Sequence, residues 1–138
     1  MKVCPYLHFN GNCAEAIAHY EKAFGVKAEI IRYKDAPASE GYELSAGTED
    51  FVMHAQFSIG NDMIFFCDMP PETVSGFGDG IAIHVSLDSV DSAKSVFNTL
   101  KEGGEVGMEP QETFWSKCFG SLKDKFGVSW MVSVEADR

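Results

Sequence analysis

At 138 residues, with 45% hydrophobic residues and 11 phenylalanines, the chain can bury a core and is too apolar for a disordered or fibrous protein. Acids outnumber bases 21 to 11, a formal charge of −10, which argues against nucleic acid or an anionic membrane as partner. No apolar run approaches the roughly 18–20 residues of a membrane span, and the opening Met1-Lys2-Val3-Cys4-Pro5-Tyr6 lacks a signal-peptide apolar block, so a cytoplasmic location is expected.

In chain order, Val3–Phe9 reads as a strand ended by the turn Asn10-Gly11-Asn12. A helix follows, with Asn12 as N-cap, Glu15 three residues on, and Ala16, Ile17, Tyr20, Ala23 and Phe24 on one stripe. His19 is expected on its exposed side, and Gly25 stops it as a C′ glycine. Ala28–Tyr33 is a strand candidate, and Lys34 to Asp50, with Pro37, Gly41 and Gly47, reads as a mobile loop. Phe51–Ile59 and Met63–Cys67 form a hairpin about Gly60-Asn61-Asp62, and a second loop runs from Asp68 to Gly80.

The second half repeats this order. Ile81–Leu87 is a strand, Val90, Ala93, Phe97 and Leu100 make a helical stripe ended by Gly103-Gly104, and strands follow at Val106–Glu112, Phe114–Leu122 and Val128–Val134. The pattern β-α-β-β-β therefore occurs twice. This predicts an α+β chain of two modules, about 1–74 and 75–138, within one domain whose sheets curl around a shared cavity.

Alternation sorts the strands into faces. Phe51, Met53, Ala55, Phe57 and Ile59 oppose Val52, His54, Gln56 and Ser58; Ile81, Ile83, Val85 and Leu87 oppose Ala82, His84 and Ser86; Val128, Trp130, Val132 and Val134 oppose Ser129, Met131 and Ser133. An ordinary solvent face would carry Lys and Glu. These second faces carry His, Gln, Ser and Met, which points to a semi-enclosed cavity. Trp130 belongs with the core, whereas Trp115, among polar neighbours, is a candidate pocket wall.

Pro5-Tyr6-Leu7-His8-Phe9-Asn10-Gly11-Asn12-Cys13 with Glu15-Ala16-Ile17 and Tyr20, His54-Ala55 with Gly60, Glu112-Thr113-Phe114-Trp115, Phe119-Gly120, and Asp124-Lys125-Phe126-Gly127-Val128-Ser129-Trp130-Met131 span nearly the whole chain. They resemble the motifs of PhnB-like proteins. The resemblance implies the vicinal-oxygen-chelate (glyoxalase-like) fold and a homodimer. It also implies a superfamily in which His, Gln and Glu on strands hold a divalent metal that polarises a chelated oxygen pair. The sequence departs from that pattern at the metal: the last-strand Glu slot falls on Met131, and the first-strand slots fall near Pro5 and Ala82. Some members carry a ubiquinone-methyltransferase label, but no nucleotide-binding glycine turn is present: Gly76–Gly80 neither follows a strand nor opens a helix.

The candidate ligand-binding residues are His54, Gln56, His84, Ser86, Trp115, Ser129 and Met131. His54 and His84 are either hydrogen-bonded pocket residues or half of a divalent-metal site completed by Gln56 or Asp68. Cys4, Cys13, Cys67 and Cys118 contain no C-x-x-C pair and are expected as free thiols. Three functions compete: an enzyme acting on a small polar metabolite, as a lyase, isomerase or oxygenase; a metal-free small-molecule binding protein; and a ligand-free structural dimer.

Overall fold

The computed structural model describes residues 1–36 and 47–136. Its contacts divide the chain into two compact units, Met1–Ser75 and Gly76–Arg138. In the first unit the elements run β1 (Tyr6–Phe9), α1 (Cys13–Phe24), β2 (Glu29–Arg32), β3 (Val52–Ile59) and β4 (Asp62–Asp68); in the second, β5 (Ile83–Ser86), α2 (Val90–Leu100), β6 (Glu105–Gln111), β7 (Ser116–Lys123) and β8 (Ser129–Glu135). Each unit builds one four-stranded sheet, in the orders β1-β4-β3-β2 and β5-β8-β7-β6. The β1–β4 and β5–β8 pairs are parallel and the remainder antiparallel. The α+β class and the twice-repeated β-α-β-β-β order are therefore as the sequence predicts, although β1 and β5 are each shorter than expected.

In the first unit α1 lies on β3 and β4. Ile17 and Tyr20 pack toward Phe9, Phe57 and Phe66, with Tyr20 stacked on Phe66 at 5.9 Å and the Phe57 ring tilted against Phe66 at 4.9 Å. Gly25 ends the helix at φ 67°, its N–H donating to the Glu21 carbonyl at 2.8 Å, a left-handed cap that favours glycine. His19 corrects the expectation of an exposed side chain: it is buried, with its ring 5.9 Å from Tyr20. It falls three residues after Ala16 and one before Tyr20, at the edge of the stripe that the sheet covers.

Asn12 also departs from expectation, since its side chain makes no capping bond. The carboxylate of Asp68, at the end of β4, takes that role. Oδ1 accepts from the Gly11 N–H at 2.7 Å and the Cys13 N–H at 3.0 Å, and Oδ2 from the Val52 N–H at 2.9 Å. One buried side chain thereby ties α1, β3 and β4 together and places negative charge at the positive end of the helix. Of the loop expected from Lys34 to Asp50, residues 37–46 lie outside the described residues. At its described ends, Tyr33–Asp35 form a short 3₁₀ turn and Lys34 Nζ bonds Asp50 Oδ1 at 2.8 Å.

In the second unit α2 lies on β7 and β8, burying Ala93, Val96, Phe97 and Leu100 toward Leu122, Trp130 and Val132. Its cap is local: the Ser89 hydroxyl accepts from the Ser92 N–H at 3.1 Å. Gly120 is needed for close approach, since a Cβ there would stand 2.8 Å from the Phe97 ring. Asp124 organises the last turn, with Oδ1 accepting from the Phe126 and Val128 N–H groups and Oδ2 from Trp130 Nε1 at 2.9 Å.

Candidate functional site

Each helix covers one face of its sheet, so the residues of interest sit on the opposite, helix-free face. Strand register places them in rows, because cross-strand partners project to the same side. On the second sheet one row is His84, Met131, Ser121 and Met108; a second is Ser129, Lys123 and Glu105; a third is Ser86, Ser133 and Phe119. His84 Nε2 is hydrogen-bonded to Ser133 Oγ at 2.7 Å, which fixes the ring along the sheet.

A cleft of about 390 Å³ opens on this face. Ser129, Met131 and Ser121 line it with Lys123 and Glu105, and Ala82 and Asp79 complete it from the segment entering β5. Lys123 Nζ is paired with the Asp79 carboxylate. Each charge favours the other, so the Asp79 pKa is lowered and the Lys123 pKa raised by their mutual hydrogen bond.

Of the sequence candidates, Ser129 and Met131 are thus brought into one cleft, and His84 and Ser86 lie in rows of the same sheet face. Trp115 sits farther along, half exposed, packed edge-on against Phe114 at 4.8 Å and Phe119 at 5.7 Å. His54 and Gln56 belong to the helix-free face of the first sheet. There Tyr6 OH is hydrogen-bonded to His54 Nδ1 at 2.9 Å, and Gln56 Nε2 donates to Glu29 Oε2 at 3.3 Å. Partial burial, followed by the neighbouring Cys67, raises the Tyr6 pKa and keeps its hydroxyl protonated. His8 and Phe65 lie 5.2 and 5.6 Å from the Tyr6 ring, which makes this face largely aromatic.

Two expectations from alternation are corrected. Val52, assigned to the polar face, is fully buried, because the β2–β3 register shifts at Ile31/Arg32 and carries Val52 to the core side. Ile81, assigned to the apolar face, is 82% exposed because β5 begins only at Ile83. Sequence reading missed Lys123, Asp79, Ser121 and Glu105 in the cleft and Tyr6 beside His54. Sorting the Phe114–Leu122 strand by the same alternation would have found Ser121, and one residue more Lys123, whereas Asp79 had no local signal.

The metal that the fold implies does not suit these donors. The last-strand slot holds Met131 and the two first-strand slots fall near Pro5 and Ala82, and a thioether is a poor ligand for a hard divalent ion. Among the described residues no three His, Cys, Asp or Glu side chains converge. Asp68, considered as a completing ligand, is a strand residue with both oxygens committed to backbone N–H groups.

The family model described as 3-demethylubiquinone-9 3-methyltransferase matches residues 1–133. The chain is 33% identical to protein YjdN of Escherichia coli (strain K12), over 97% of this chain and 95% of that one. Among solved structures it is similar to protein PA1353 of Pseudomonas aeruginosa, 36% identical with TM-score 0.85 over 99% of both chains. It is likewise similar to a putative 3-demethylubiquinone-9 3-methyltransferase, PhnB protein, of Bacillus cereus, 28% identical with TM-score 0.76 over 97% of this chain and 99% of that one. A glyoxylase/bleomycin resistance protein/dioxygenase domain from Frankia sp. EAN1pec, 10% identical, shares the fold at TM-score 0.68 over 99% and 98% of the two chains. The chain belongs to the PhnB-like family, whose model is described as 3-demethylubiquinone-9 3-methyltransferase, and has the glyoxalase fold of the vicinal-oxygen-chelate superfamily.

Proposed function

We propose that this protein binds a small polar molecule on the helix-free face of its second sheet and holds it by direct hydrogen bonds and charge, without a metal. The observation that carries this reading is the cleft itself. Serine hydroxyls, a lysine and two carboxylates converge there with Met131 and Ala82, a few directional polar groups set against apolar surface. The unsuited donor set supports a metal-free mode. Methyl transfer, named in the family's description, gains no support at the β1–α1 connection, where a nucleotide-binding turn would need free N–H groups: those of Gly11 and Cys13 are held by Asp68.

The test is a ligand screen by NMR on the full chain, following the Met131 methyl group. Saturable shifts from polar metabolites, lost in Ser129→Ala, are expected, and no shift from any compound class would refute the reading. A parallel titration with Mn, Ni and Zn should show no stoichiometric uptake; stoichiometric metal lost in His54→Ala or His84→Ala would replace this reading with the metal-dependent one.

We further propose that the protein is a homodimer. Phe114 is 94% exposed and packs against the half-exposed Trp115 at 4.8 Å, a contiguous apolar pair that a second copy would cover. Sedimentation velocity should give a dimer; a monomer at all concentrations would overturn this.

A further inference from the structure

Resting on that reading, we infer that the cleft takes a zwitterion of the amino-acid class, its carboxylate on Lys123 in the place Asp79 now holds and its ammonium on Glu105. Lys123 is the single cation among the described lining residues, and the row Ser129, Lys123, Glu105 is set by direct cross-strand pairing. The cleft therefore presents a hydroxyl, an ammonium and a carboxylate side by side. Ser121, two residues from Lys123 and on the same face, adds a second hydroxyl. Gly107 stands against it so closely that a Cβ there would lie 2.7 Å from its oxygen.

Asp79 behaves as an internal stand-in for the ligand carboxylate. It comes from the connecting segment rather than the sheet, lies between Gly78 and Gly80, and has a side chain 87% exposed, so its departure sacrifices little packing. Charge then selects the ligand. With Asp79 displaced, Lys123 and Glu105 remain as one positive and one negative group. A simple anion would leave Glu105 unmatched, a simple cation would bring no carboxylate to take the place of Asp79 on Lys123, and a zwitterion satisfies both. Ala82 and Met131 offer apolar contact to its side chain.

Calorimetric titration of the full chain with L-methionine, propionate and propylamine tests the inference. L-methionine should bind at one site, with either half-ligand about tenfold weaker or worse, in line with the loss of one charge-assisted hydrogen bond. Lys123→Met should weaken L-methionine by about tenfold. Asp79→Asn should tighten it by about threefold, because a competing surface ion pair is removed. Weaker binding in Asp79→Asn would overturn the displacement, and propionate binding as tightly as L-methionine would overturn the zwitterion. If L-methionine fails while neutral polar compounds still shift the Met131 methyl resonance, this inference falls and the binding reading stands; if nothing shifts it, both fall.

Discussion

The two units share one topology and differ in what they place on the helix-free face. Aligned by register, Tyr6 of the first sheet corresponds to His84 of the second, Phe65 to Met131, Gln56 to Ser121 and Glu29 to Met108. The first face is aromatic, with Tyr6, His54 and Phe65 within 5.3–5.7 Å of one another. The second is hydroxylic and charged. The helix-covered faces differ less: both are closely packed aromatic and aliphatic surfaces. Folding constrains the covered faces to similar chemistry, whereas the open faces are free to diverge, and the proposed binding cleft lies on the open face of the second unit.

The comparison can be broken hardest at the helix caps. Asp68→Ala removes a buried carboxylate from three backbone N–H groups and should cost about 3–5 kcal/mol. Ser89→Ala, at the local cap of α2, should cost about 1 kcal/mol. Urea denaturation of both variants measures the contrast, and equal losses would refute the idea that α1 depends on β4 for its cap.

One matched pair on the covered faces is Ala55 and Gly120, opposite Phe66 and Val132. Gly120→Ala drives a methyl into the Phe97 ring and should cost about 2 kcal/mol, partly recovered by adding Phe97→Leu. Ala55→Gly should cost about 1 kcal/mol through chain entropy. Thermal unfolding of the three variants sharpens the correspondence, and a neutral Gly120→Ala would remove it.

Thiol chemistry separates the units more gently. Burial, followed by the charge of Asp68, raises the Cys13 pKa, and burial also raises that of Cys67. A thiol with a raised folded pKa contributes its full stability below the unfolded value of about 8.5. That contribution is lost as pH climbs from there toward the folded value, because the unfolded thiol releases its proton first. Stability should therefore fall by roughly 1 kcal/mol through Cys13 by about pH 9.5, and Cys13→Ala should flatten that fall. Thiol labelling at pH 8 should modify the half-exposed Cys4 well before Cys13; simultaneous labelling would contradict the burial.

Smallest of all is the first open face. Tyr6→Phe removes the bond to His54 at a partly exposed site and should change stability by no more than about 1 kcal/mol. It should leave L-methionine binding unchanged, since the proposed cleft is lined by residues of the second unit alone. A large loss of binding in Tyr6→Phe would show that the first face takes part in recognition.

Both helices, the β3–β4 hairpin and the doubled element order were legible in the amino-acid sequence, because helical periodicity, Gly25 and the Gly60-Asn61 turn are local signals carried by neighbouring residues. Trp130 was legible as core for the same reason, as were Ser129 and Met131 on the opposite face. Three features were decided by tertiary structure alone. Asp68 replaced Asn12 as the cap of α1, a register shift carried Val52 into the core, and Asp79 met Lys123 across 44 residues of chain. Each depends on which strand lies beside which and in what register, and that is set by the global packing of the sheet rather than by any window of sequence.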